Sequence, residues 1–144
     1  MRMKFKLGYF CFPWHRNPKI QTRKLVDIIE KVISKYSIVP ITSHFAFDLL
    51  HGAMVEPKNS DPLENIWEKL PTIESKWDLY VGVWDLALIV KCDVFIVCAP
   101  INYSSSAGMV WEYCLANLLG KKIRYWDGSE LVEKYPWDKN VAKC

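Results

Sequence analysis

Three acidic side chains, Glu112, Asp85 and Asp78, are placed where a carboxylate can do chemistry. The run Asp93–Ala99 is β-branched and apolar, of the length of a fully buried parallel strand. Ser106-Ala107-Gly108-Met109-Val110-Trp111-Glu112 follows it after a short loop and opens a helix. Ser106 suits the N-cap, Gly108 permits close approach of backbone or ligand, and Glu112 falls on the expected first turn. Ligands of open α/β sheets bind at the carboxyl ends of the strands, so Glu112 is expected to face a cleft. Its other reading is complementation of the helix dipole. Asp78 and Asp85 lie seven residues apart and so share one face of a helix about two turns apart. Leu79, Val83, Leu86, Ile89 and Val90 predict that this helix is packed, and its carboxylates then meet either water or a site. An exposed acidic stripe is the alternative for both.

The elements that would position these groups can be read along the chain. Lys4–Cys11 predicts a first strand, and Phe12–Pro18 a loop. Lys19–Tyr36 carries Ile20, Leu25, Ile28, Ile29, Val32 and Ile33 at the spacing of a helix with one buried face. Ser37–Thr42 reads as a second strand, 53–62 as a loop, and Thr72–Val90 as a long helix with Glu74 in its first turn. Met109–Leu119 continues to a Gly120 stop, Lys122–Trp126 is a further strand, Asp127-Gly128 a turn, and Ser129–Tyr135 a terminal helical piece. Alternating strands and helices predict an α/β fold with a doubly wound, Rossmann-like parallel sheet of four to five strands.

Length and composition agree with one domain over residues 1–144, since 51% hydrophobic residues in 144 supply a single core. No run approaches the ~18 apolar residues of a membrane span. Met1–Lys6 interleaves charge with apolar residues, unlike a signal peptide, so a cytoplasmic protein without membrane association is expected. Five cysteines without a Cys-x-x-Cys pair read as small core hydrophobes, and neither a disulfide framework nor a metal is expected. Residues 1–35 hold nine Lys/Arg against Asp27 and Glu30, a local charge of +7, while the remainder is −4. Such a bias serves a nucleic acid or a small anion equally well, but solvated lysines on an amphipathic helix are the commoner cause, and nucleic-acid binding is not the favoured reading.

Tyr9-Phe10-Cys11-Phe12-Pro13 resembles the Tyr-x-x-Gly-Pro strand-end motif of the nucleoside 2-deoxyribosyltransferase superfamily, and Ser106-x-Gly108-x-x-x-Glu112 resembles its Ser-x-Gly-x-x-x-Glu motif. Pro40–His44 resembles the second strand and following His, and Asp85-Leu86 with Asp93-Val94 resembles the Asp-Leu…Asp-Val segment, with Asp78 on a further acidic position. The likeness runs over residues 5–126. It implies a three-layer, flavodoxin-like sheet, a homodimer or higher oligomer, and cleavage or transfer of N-glycosidic bonds in deoxyribonucleosides or their 5′-monophosphates, with no metal or other cofactor. Glu112 corresponds to the nucleophile that attacks the anomeric carbon, Asp85 fits the acid that protonates the departing base, and Tyr9 fits a group that orients the nucleophile. Ionised Glu112 is expected, because a helix N-terminus lowers a carboxyl pKa.

Hydrolases of this superfamily cradle a 5′-phosphate after the first strand and near the Ser-x-Gly loop. Here His15, Arg16 and Ser106 supply charge and donors suited to an anion. Phe12 stands in place of the motif's Gly, where it either stacks on a base or fills the pocket, and Pro13 has no N–H to donate. Trp14 either walls the base pocket or covers the core, and His44 is either a ligand contact or a hydrogen-bonded structural residue. The alternative function is a non-catalytic nucleotide-sensing module with the same pocket.

Overall fold

A computed structural model describes residues 5–13, 18–42, 85–101 and 107–137. The elements are β1 (Lys6–Cys11), α1 (Pro18–Lys35), β2 (Ile38–Ile41), a helical stretch α2 (85–91), β3 (Val94–Val97), α3 (Ala107–Leu118), β4 (Lys122–Trp126) and β5 (Leu131–Val132). The five strands form one mixed sheet in the order β2-β1-β3-β4-β5. Its first four strands are parallel, with Gly8 level with Pro40 and Val94, and Val94 level with Lys122.

Strand alternation divides the core between the two sheet faces. Tyr9, Cys11, Phe95, Val97 and Tyr125 pack with Ile89 of α2 and with Met109, Val110 and Ala116 of α3. Phe10, Phe12, Val94, Ile96 and Trp126 pack with Leu25, Ile29 and Val32 of α1. The central strands β1 and β3 are apolar on both sides for this reason, as the near-continuous hydrophobic runs predict. Ile20 and Ile33 fall outside the buried stripe of α1 and are exposed.

Gly8 lets β1 run this close to its neighbours, because a Cβ there would sit 2.5 Å from Ile38 Cγ2 and 3.0 Å from Ile96 Cδ1. Asp93 ties the start of β3 to β1: its N–H donates to the Leu7 carbonyl at 2.7 Å and its Oδ2 accepts from the Leu7 N–H at 2.7 Å. α3 ends as a Gly stop predicts, with Gly120 at φ +67° and the Gly120 and Lys121 amides donating to the Asn117 and Ala116 carbonyls.

The last segment differs from its expectation. Residues expected to form a terminal helical piece instead form β5, antiparallel to β4 with Tyr125 opposite Val132 and Trp126 opposite Leu131. The turn decides it. Asp127 Oδ1 accepts from the Ser129 and Glu130 amides and the Ser129 hydroxyl, and Gly128 adopts φ +109°. That closes a hairpin before a helix can nucleate. The Asp127 carboxyl is held below its ordinary pKa, chiefly by those backbone amides. Among the described residues, no helix is long and apolar enough to cross a membrane.

Candidate active site

Two acids from separate helices meet above the carboxyl half of β1. Asp85 retains 2% of its surface and Glu112 7%, so neither lies on an exposed stripe. α2 turns Asp85, Ile89 and Cys92 toward the sheet and leaves Leu86 and Val90 exposed. The inward face is therefore set by the acid and Ile89 rather than by every apolar residue of the segment. Tyr9, fully buried, donates its hydroxyl to Asp85 Oδ1 at 3.2 Å. The Tyr9 ring is held by parallel stacking on Phe95, with centroids 5.4 Å apart.

Glu112 stands in the second turn of α3, because the helix begins at Ala107. The pull of a helix N-terminus fades within the first turn, and two stronger effects act the other way. Burial disfavours the charged carboxylate, and the adjacent Asp85 adds like-charge repulsion and shares a hydrogen-bonding interaction. The Glu112 carboxyl is therefore pushed well above its ordinary pKa, in place of the expected lowering. Interactions with Cys11 and Tyr9 oppose that rise without cancelling it. Glu112 Oε2 has no hydrogen-bond partner among the described residues. Two buried carboxyls placed together disfavour double ionisation, which is the direction of the Glu112 shift.

Cys11 is a member of this cluster that sequence reasoning missed. Its thiol is buried at the end of β1 beside Glu112, with Sγ 3.9 Å from the Met109 carbonyl, and burial followed by the Glu112 charge pushes its pKa up. The signal was available, since Tyr9 and Cys11 lie two apart on one strand and point to the same face. Cys11, Cys92 and Cys98 are buried free thiols, as expected of core hydrophobes. Cys114 departs from that expectation and is disulfide-bonded.

The other anticipated residues are distributed differently. Phe12 is 9% exposed and belongs to the α1-side core, on the sheet face opposite Glu112, so it is not brought to the acid pair. Pro13 is half-buried, and Gly108 is exposed in the first turn of α3. Trp14, His15, Arg16, His44, Asp78 and Ser106 lie outside the described residues. So do residues 14–17, 43–84 and 102–106, which follow β1, β2 and β3 in sequence. Among the described residues, no group of three His, Cys, Asp or Glu side chains is arranged to hold a metal ion.

No protein-family model matches the chain, and no curated protein matches it.

Proposed function

We propose that the protein cleaves or transfers the N-glycosidic bond of nucleosides or their 5′-monophosphates, using Glu112 and Asp85. The observation that carries this reading is the buried carboxyl pair with Tyr9 hydrogen-bonded to Asp85. A pair that shares one proton supplies at once an ionised oxygen and an acid. In the first step a Glu112 oxygen bonds to C1′ while the C1′–N bond breaks, and the shared proton leaves through Asp85 to the departing base. In the second, water attacks C1′ and releases Glu112, and its proton returns to the pair. A free acceptor base in place of water makes the same step a transfer. Tyr9 acts as a positioning residue that fixes Asp85.

The fold supports the reading by analogy. Strand order 2-1-3-4-5 with helices packed on both faces supports a flavodoxin-like, three-layer arrangement, with β5 antiparallel here; ligands of such sheets sit at the carboxyl ends of the central strands. A homodimeric, cytoplasmic protein belongs to the same proposal.

The test incubates the protein with deoxy- and ribonucleosides and their 5′-monophosphates, with and without a free base, and follows base release by chromatography. Release that falls at least 10³-fold in Glu112→Gln supports the assignment, a magnitude typical of losing a covalent nucleophile. Undiminished release in that variant overturns it, and saturable nucleotide binding without turnover replaces it with a sensing module.

A further inference from the structure

At the opposite end of the sheet, where the parallel strands begin, lies a cavity of about 470 Å³. Its walls come from the starts of β1, β2, β3 and β4 and from the end of α1. Val94 and Tyr36 give it an apolar, aromatic floor, and four cations rim it: Lys6, Lys35, Lys122 and Arg124. The acids nearby are engaged. Asp93 accepts from the Leu7 amide, Asp127 caps the hairpin turn, and Glu133, largely exposed, pairs with Arg124 at 3.2 Å. The wall is also fixed in place. Lys35 Nζ donates to the Ser129 carbonyl at 2.8 Å, Arg124 Nη1 to the Ile123 carbonyl at 2.8 Å, and the Leu131 amide to the Tyr36 hydroxyl at 3.0 Å.

Four cations around one concave apolar floor repel one another and focus positive potential into the cavity. Cations over a partly apolar pocket of a few hundred cubic ångströms, two of them held by hydrogen bonds, suit a compact ligand with clustered negative charge and a ring or chain to lay on the floor. Lys6 and Lys35 are two of the nine basic residues of the segment 1–35. We infer that this cavity binds a small polyphosphate ligand of the nucleoside di- or triphosphate class. The site is separate from the carboxyl pair and independent of what that pair does. Phosphates engage the rim, which Lys6 of β1 and Lys122 of β4 supply from either side of β3, and the apolar moiety lies against Tyr36 and Val94.

Calorimetric titration of the full chain with ATP and, separately, with inorganic triphosphate tests it. One-to-one binding of ATP is expected, weakening as salt rises and at least tenfold tighter than triphosphate, because only ATP covers the floor. Lys6→Ser/Lys122→Ser, both at exposed positions, weakens ATP binding at least tenfold with an unchanged circular dichroism spectrum. Glu133→Gln strengthens it by releasing Arg124, and Glu112→Gln leaves it unchanged. Absence of ATP binding at millimolar concentration overturns the inference, as does binding indifferent to the double lysine variant. Triphosphate binding as tightly as ATP removes the role of the floor and overturns the nucleotide class. A single-stranded RNA 12-mer that binds more tightly than ATP and loses affinity in the same lysine variant replaces the small ligand with a nucleic acid.

Discussion

The Tyr9 hydroxyl donates to Asp85 Oδ1 at 3.2 Å across 76 residues of sequence, and both groups are almost wholly withdrawn from water. A buried carboxylate needs such donors, and removing one exposes the cost of burial. Tyr9→Phe keeps the ring stacked on Phe95 and deletes only the hydroxyl. It is expected to lower stability by about 1–2 kcal/mol in urea unfolding at pH 7. The same variant in the base-release assay is expected to lose kcat with little change in KM, because the role proposed for Asp85 is on the leaving group and not in binding. A hydroxyl with a purely structural role leaves kcat unchanged once the protein is folded.

Glu112 gives a pH dependence of defined sign. Its carboxyl is pushed up in the folded state by burial and by Asp85, from an ordinary value of 4.5 that it regains on unfolding. The folded chain therefore holds a proton that the unfolded chain releases, and stability falls as pH rises above about 4.5 until the folded group itself ionises. The contribution is complete below that pH and lost progressively above it. Glu112→Gln mimics the protonated acid at every pH. The variant is expected to match wild type near pH 4 and to be the more stable of the two at pH 8, measured as the difference in urea midpoints at the two pH values.

Gly8 tests the packing that sets the sheet. With Ile38 Cγ2 2.5 Å and Ile96 Cδ1 3.0 Å from the position of an added Cβ, Gly8→Ala forces β2 or the α1-side core to shift. Overpacking of this kind costs about 1–3 kcal/mol. The expected readout is a Tm lowered by several degrees together with faster hydrogen exchange in β2, an edge strand.

Much of this fold was legible because its signals are local. The β-branched run 93–99, the buried stripe of α1 and the Gly120 stop each depend on a few neighbouring residues, and each element appears within two residues of its expected bounds. β5 was misread because a two-residue strand has too little sequence to show a period, and the Asp127 turn that creates it acts through backbone amides. Asp85 and Glu112 were identifiable as acids on helices flanking one strand. The upward shift of Glu112 was not, because the expected influence was its helix terminus, whereas the actual ones are burial and the Asp85 neighbour, both supplied by tertiary packing. Cys11 was overlooked for a related reason, since a cysteine in an apolar strand reads as core until a charged neighbour is placed against it.

Lys121 joins the end of α3 to the end of α2, and so supports the helix that carries Asp85. Its ammonium donates to the Val90 carbonyl at 2.8 Å and to the Cys92 carbonyl at 2.9 Å. These carbonyls lie at the C-terminus of α2, where backbone acceptors lack helical partners and a cation is favoured. Lys121→Met keeps the aliphatic stem and removes both donors. The loss is expected to destabilise the protein by about 1 kcal/mol and to act locally. Amides of 85–92 should exchange faster in hydrogen–deuterium experiments, while those of α1 on the opposite face stay near wild-type rates. Lys121→Arg, which retains charge and donors, should restore most of the protection. If Asp85 depends on this anchor for its position, base release falls in Lys121→Met and recovers in Lys121→Arg. Equal exchange in wild type and Lys121→Met would show that α2 is held by Ile89 and the sheet alone.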